Sequence, residues 1–376
     1  MRADDGAVLL TGATGFVGME LLARYLERSD RDIVTVVRAA NDEAAQARVQ
    51  SVLENLFGAR AARHASRVHA LAGELTAPRV GLTKARWQEL ACRVTTIVHS
   101  AASVSFELPL PEAREINVEG TKRMLGLAAG AAACGGLERY AHVSTAYVAG
   151  THAGAFCECD LDLGQEFRNT YEQSKFEAEQ LVRAAPGLPF TILRPSIVVG
   201  DRRSGWTAAF NVLYWPLRAL ARGLYTAVPA IPSAPVDVVS IDYVTDAIHE
   251  LCESRGGIGE TYHLTAGAQA STIQEIAAAA SRYFKRPMPK VLSPVEFAAL
   301  EGTSGGMPRS ALGSSSAYFP YFSVGTVFDD AAARARLAPA GIEVSPLREY
   351  LERLLDFATR SRWGKRPIGR AEALAT

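Results

Sequence analysis

Leu9-Leu10-Thr11-Gly12-Ala13-Thr14-Gly15-Phe16-Val17-Gly18 is the stretch on which the reading of this chain turns. A short apolar run, Val8 to Leu10, precedes it, and an apolar pattern at Met19, Leu21, Leu22, Tyr25 and Leu26 follows at helical spacing. That order reads as strand, glycine turn, helix. Glycines let a backbone turn tightly and approach a pyrophosphate, whose charge then sits at the helix N terminus. The spacing is Gly-x-x-Gly-x-x-Gly rather than Gly-x-Gly-x-x-Gly. Its place at the first strand–helix junction makes Thr11, Gly12, Thr14, Gly15, Phe16, Val17 and Gly18 the expected contacts of a dinucleotide.

Working outward, alternation continues. Apolar, β-branched runs at Ile33 to Val37, Val68 to Leu71, Thr95 to Val98, Tyr140 to Val143 and Phe190 to Leu193 read as strands. Helical patterns cover Asp42 to Phe57 and Pro111 to about Cys134. Strands alternating with helices predict an α/β fold with a doubly wound parallel sheet. After about Gly200 the rhythm breaks. An aromatic stretch runs from Trp206 to Trp215, Pro229, Pro232 and Pro235 punctuate a loop, and Ser304-Gly-Gly-Met-Pro and Gly313-Ser-Ser-Ser form Gly/Ser-rich breaks. Residues 1–200 plus about 236–286 are therefore expected to form the nucleotide-binding domain. Residues 201–235 and about 287–376 are expected to form a smaller, mostly helical substrate-side region, in which Trp206 to Trp215 lines an acyl tunnel or fills core.

Lys plus Arg and Asp plus Glu each number 40, so the formal net charge is zero, which argues against a nucleic-acid binder. Five cysteines without a framework fit a reducing compartment, and Cys157-x-Cys159 lacks the further ligands of a metal site, so no metal is expected. Met1-Arg-Ala-Asp-Asp has no apolar signal core, and no apolar run approaches a membrane span. A cytoplasmic protein is expected. The basic tail from Arg360 to Arg370 reads as a solvated helix end, with at most weak attraction to an anionic membrane.

The end of the second strand lies beside the adenosine ribose in such sheets, where an acid would bind the 2′-hydroxyl and repel a 2′-phosphate. Here the strand ends Val36-Val37-Arg38. The forked cation of Arg38, with Arg48 as a second contact, predicts NADPH/NADP rather than NADH.

Tyr171-Glu-Gln-Ser-Lys175 places Tyr171 and Lys175 one helical turn apart on one face. A tyrosine titrates near ~10, so proton exchange at neutral pH needs a neighbouring ammonium and the positive nicotinamide ring to lower it. The third group is expected at the end of the fifth strand, where either Ser144 or Thr145 can serve. Together these features resemble the extended short-chain dehydrogenase/reductase superfamily over about residues 6–265. The resemblance places the hydroxyl on Thr145, giving a triad of Thr145, Tyr171 and Lys175. It also matches His99-Ser100-Ala101-Ala102 to a loop along the cofactor and Asn117 to the asparagine that supports the active-site helix. Gly73-Glu74-Leu75 matches a turn near adenine, with Glu in place of Asp. Pro195-Ser196-Ile197-Val198 matches the segment that holds the nicotinamide carboxamide.

The phrasing His99-Ser-Ala-Ala-Ser-Val-Ser-Phe106, Asn117-Val-Glu-Gly-Thr and Tyr171-Glu-Gln-Ser-Lys-Phe-Glu-Ala-Glu179 is similar to one branch, the thioester reductases. These include the reductase domains of carboxylic acid reductases and nonribosomal synthetases, and the fatty acyl-CoA reductases. The resemblance implies hydride transfer from NADPH to an acyl thioester, giving aldehyde or, after a second transfer, alcohol. No Asp-Ser-Leu carrier-attachment motif stands in these residues, so the thioester is expected from elsewhere, as acyl-CoA or on an acyl carrier protein. The alternative is an NADP-dependent ketone, aldehyde or sterol dehydrogenase, or a sugar-nucleotide epimerase, on the same fold.

Overall fold

The computed structural model describes residues 6–301 and 313–375. The readings of Met1-Arg-Ala-Asp-Asp and of Ser304-Gly-Gly-Met-Pro lie outside the described residues. Seven strands form one parallel sheet: β1 (Ala7–Thr11), β2 (Ile33–Val37), β3 (Val68–Ala72), β4 (Val94–His99), β5 (Arg139–Val143), β6 (Phe190–Pro195) and β7 (Glu260–Leu264). Their spatial order is β7-β6-β5-β4-β1-β2-β3. Six are the strands expected from sequence; β7, at the sheet edge, is an addition. The strand order reverses between β1 and β4, which opens a crevice beyond their carboxyl ends. In register, Thr11 stands beside His99 and His99 beside His142.

The principal helices are α1 (Phe16–Arg28), α2 (Asp42–Phe57), α3 (Lys84–Arg93), α4 (Gly120–Ala133), α5 (Thr170–Arg183), α6 (Tyr214–Ala221), α7 (Ile241–Glu253), α8 (Ile273–Phe284), α9 (Ala331–Leu337), α10 (Leu351–Arg360) and α11 (Arg370–Ala375), with shorter ones between them. The expected bounds of α2 hold because Asn41 caps it, accepting from the Ala44 N–H, with Asp42 and Glu43 in the first turn. Leu21, Leu22, Val49, Leu53 and Ile248 of α1, α2 and α7 fill one face of the sheet. Leu90 of α3 and Met124 and Leu127 of α4 fill the other. Covered on both sides, β1 is buried along its whole length, which explains its unbroken apolar run.

The single helix expected from Pro111 is instead interrupted. Leu110–Arg114 is followed by a π-helical turn, Glu115–Glu119, before α4 begins. Such turns mark functional sites, and this one carries Asn117.

A second core gathers Leu217 and Leu220 of α6, Ile273 and Ile276 of α8, Leu354 and Leu355 of α10, and Phe319 and Phe322. Helix α8, assigned by sequence to the nucleotide side, thus packs into this second core. Conversely, α9 and α11 return to the first core through Ala333, Leu337 and Ala373. Arg370 is buried and pairs with Glu20 at 2.6 Å and Glu27 at 3.0 Å, so it is not part of a solvated tail. Amphipathic spacing marks a buried face but not which core receives it. Trp206 also belongs to the first core, against Phe16, with its ring N–H on the Ile368 carbonyl.

Cys92 and Cys134 form a disulfide, against the expectation of no framework. The close approach of α3 and α4 brings their Cα atoms to 5.3 Å, a contact invisible at a sequence separation of 42. Among the described residues no helix is long and apolar enough to cross a membrane, and no cluster of His, Cys, Asp or Glu could hold a metal ion.

Candidate active site

A cavity of about 420 Å³ opens at the switch point. Gly12, Gly15, Phe16, Val17 and Gly18 form one side, and Ser100, Ala102, Pro195, Ser196, Ile197 and Val198 line it further on. No side chain caps the N terminus of α1, so its first N–H groups are left to a ligand. Gly12 has φ of 78°, and a Cβ on Gly18 would lie 2.0 Å from the Gly12 carbonyl oxygen. Only glycines allow this approach of turn and helix, and the resulting cradle fits a pyrophosphate.

Buried polar groups hold the cradle in place. The Thr121 hydroxyl donates to the Asn117 carbonyl, which leaves it to accept from His99 Nε2 at 3.3 Å. His99 Nδ1 is then an acceptor for the Thr11 hydroxyl at 2.8 Å. Burial pushes His99 down to about 3, in keeping with this neutral tautomer. Thr11 Oγ1 in turn accepts from the Ala101 N–H at 3.2 Å. Asn117 donates to the Ser103 carbonyl at 3.0 Å and to the Ser174 hydroxyl at 2.9 Å, and accepts from the Ser103 N–H at 2.8 Å. Thr11, Ala101 and Asn117 therefore shape the cavity wall from behind.

Thr145, Tyr171 and Lys175 meet in the same cavity. Thr145 follows β5, and the other two lie on α5, which Asn169 caps by accepting from the Glu172 N–H. Burial pushes the Tyr171 phenol up to about 12, opposed by the neighbouring Thr145 hydroxyl. The polypeptide alone thus does the reverse of the lowering expected for Tyr171. Burial pushes Lys175 down to about 8, opposed by Glu179. The Lys175 ammonium donates to the Val143 carbonyl at 2.8 Å. Ser144 also lines the cavity, but its hydroxyl donates to Glu179 at 2.8 Å. Glu179 also takes Arg194 at 2.6 Å, and neither side chain is exposed. That pull separates the two hydroxyls the sequence left open. Hydroxyls and a cation so placed can stabilise an oxyanion.

Arg38, Arg48 and Glu74 gather at the end of β2, outside the cavity lining. Arg38 is 81% exposed, with Glu74 3.9 Å away, and Arg48 donates to the Arg38 carbonyl. An acid thus does stand beside Arg38, supplied from beyond β3 rather than from β2. Thr14 is half-buried in the turn, outside the cavity lining. Leu75 packs near Gly120, its carbonyl accepting from Arg123. Sequence reasoning missed Val104, Phe106, Val143, Tyr147, Tyr318 and Tyr321 of the lining. The run Tyr318-Phe-Pro-Tyr-Phe322 was the available signal. The stretch from Trp206 to Trp215 does both things expected of it: Ala209, Asn211 and Val212 line the cavity, while Trp206, Leu213 and Tyr214 fill core.

A family model described as male sterility protein matches residues 10–248. The chain is 31% identical over 274 residues to the nonribosomal peptide synthetase asaC of Aspergillus flavus, covering 69% of this chain and 26% of that protein. It is 32% identical over 254 residues to the L-2-aminoadipate reductase large subunit of Eremothecium gossypii, covering 63% of this chain and 18% of that one. The chain thus spans about a quarter or less of the length of these relatives. Among solved structures, the terminal R domain from the myxalamid PKS-NRPS biosynthetic pathway superposes with a TM-score of 0.81 at 27% identity, covering 98% of this chain and 94% of that one. With a nicotinamide-type cradle, a doubly wound sheet and these relatives, the chain belongs to the male sterility protein family, the thioester-reductase branch of the extended short-chain dehydrogenases/reductases.

Proposed function

We propose that this protein uses NADPH to reduce an acyl thioester to an aldehyde. The observation that carries the reading is that Thr145, Tyr171 and Lys175 open into the same cavity as the glycine turn. Bound there, the cofactor supplies a hydride to the thioester carbonyl carbon. Tyr171 gives its proton to the carbonyl oxygen, and Thr145 hydrogen-bonds the charge growing there. Lys175 supplies the positive field that eases proton loss from Tyr171. The hemithioacetal formed on the substrate releases the thiol and leaves the aldehyde. The likeness to synthetases supports a thioester carried on a protein, with acyl-CoA as the small-molecule equivalent.

Arg38 and Arg48 support NADPH, since a solvated fork beside the ribose suits a 2′-phosphate. Glu74 at 3.9 Å holds Arg38 only loosely.

The test is NADPH consumption with a panel of acyl-CoAs and acyl-loaded carrier proteins, with free thiol and aldehyde measured. Tyr171→Phe is expected to lower kcat about a thousandfold while NADPH still binds. A fully active Tyr171→Phe, or turnover that releases no thiol, overturns the assignment. Arg38→Ala is expected to weaken NADPH and spare NADH.

A further inference from the structure

The triad and the glycine turn account for only part of the cavity wall. Facing Tyr171 stands a cluster of rings drawn from three distant segments. Phe106 lies 5.8 Å from Tyr171, 5.5 Å from Tyr318 and 5.3 Å from Tyr321 between ring centroids. Tyr147 packs edge-on against Tyr321 at 4.9 Å.

The cluster is fastened rather than loose. The Tyr321 hydroxyl donates to the buried Glu172 carboxylate at 2.7 Å and accepts from Asn169 Nδ2 at 2.7 Å. Tyr318 and Val212 line the same stretch of wall. Val212 has φ of 41°, a left-handed conformation that costs a β-branched residue energy. Strain held by surrounding contacts marks a wall built for a purpose.

Among the described residues that line the cavity, Lys175 is the one charged side chain, and its ammonium is engaged by the Val143 carbonyl. Among those lining residues a carboxylate on the acyl group would find no free cation and an ammonium no anion, and Arg168, 5.9 Å from the Tyr321 ring centroid, is already paired with Glu172, so either charge would enter at a large desolvation cost. Aromatic faces instead reward apolar surface.

We propose that Phe106, Tyr318 and Tyr321 form the acyl subsite, and that it selects uncharged, apolar acyl groups. This rests on the thioester reading above. The thioester carbonyl lies at Tyr171 and Thr145, and the chain beyond it runs between the rings.

The experiment compares S-octanoyl pantetheine with the ω-carboxylated suberyl thioester of equal length. Octanoyl is expected to have a kcat/KM about a hundredfold higher or more. Phe106→Ala and Tyr318→Ala are each expected to lower the octanoyl-to-acetyl ratio of kcat/KM about thirtyfold. Both residues are half-buried, and melting curves with NADPH affinity report whether the variants fold. Equal turnover of octanoyl and suberyl thioesters overturns the subsite. So does an equal loss on octanoyl and acetyl substrates. Calorimetric titration of the NADP-loaded protein with the same two thioesters separates the subsite from the chemistry. Preferential octanoyl binding without any reduction upholds the subsite and removes the reaction; equal or absent binding removes the subsite.

Discussion

Gly18→Ala isolates the cofactor cradle with a single methyl group. Its Cβ would lie 2.0 Å from the Gly12 carbonyl oxygen and 2.5 Å from the carbonyl carbon. Both are backbone atoms of a tight turn, so no side chain can swing aside. Gly12 is itself hemmed in, since a Cβ built on it would come within 2.9 Å of the Ala101 nitrogen. Relief therefore requires the start of α1 to withdraw by about 1 Å or more to reach ordinary contact. The N–H groups meant for the pyrophosphate withdraw with it. A misplacement of this size costs about a hundredfold in a positioned interaction. Overpacking adds about 1–3 kcal/mol of destabilisation. NADPH affinity by fluorescence titration is expected to fall at least about a hundredfold, and urea unfolding to shift down accordingly. Gly15→Ala is the control for folding, because its Cβ would meet the same oxygen at 3.3 Å and its φ of −89° suits alanine. Wild-type NADPH affinity in Gly18→Ala would refute the geometry of the cradle.

Two further predictions follow from the buried charges of α5. Lys175 titrates at about 8 and Tyr171 at about 12, so rising pH removes the ammonium first. For reduction, kcat/KM is expected to hold below about pH 8 and decline above it, and a profile still level near about pH 10 would exclude Lys175 as the required cation. Glu179→Gln leaves Arg194 charged and wholly buried, so urea unfolding is expected to show a loss of about 3–5 kcal/mol. Restoration of most of that loss in Glu179→Gln with Arg194→Met would identify the stranded charge as the cause, and a single variant within about 1 kcal/mol of wild type would dismiss the pair as structural.

What the sequence made legible was local. The β1–α1 turn announces itself because its glycines, its apolar strand and its helical spacing are contiguous. Tyr171 and Lys175 are legible because four residues make one helical turn. Strand β7 was missed because Glu-Thr-Tyr-His-Leu, at the sheet edge, carries no apolar run. Glu74 comes near Arg38 only because β2 and β3 are neighbours in the sheet. Ser144 and Thr145 are equivalent on paper, and Glu179, reaching Ser144 from α5, separates them. Tyr318 and Tyr321 stand some 150 residues from the helix they cover, as the Tyr321–Glu172 separation of 149 shows, and no periodicity spans that distance.

Helix α5 joins these observations. Two buried carboxylates, Glu172 and Glu179, stand on the same helix as Tyr171 and Lys175. Glu172 accepts from Tyr321 and from the Arg168 N–H, which ties the helix start to the aromatic wall. Glu179 takes Arg194 and Ser144, which ties its later turns to β6 and to the residue following β5. Each carboxylate is expensive to bury and is repaid only when its partners are in place. The phenol and the ammonium are therefore held in register with both the aromatic wall and the sheet. An acyl group that displaced Tyr321 would also release Glu172, next in sequence to Tyr171. Selection at the wall and proton donation at the phenol are then coupled through one side chain, and an ill-fitting acyl group should lose kcat as well as affinity.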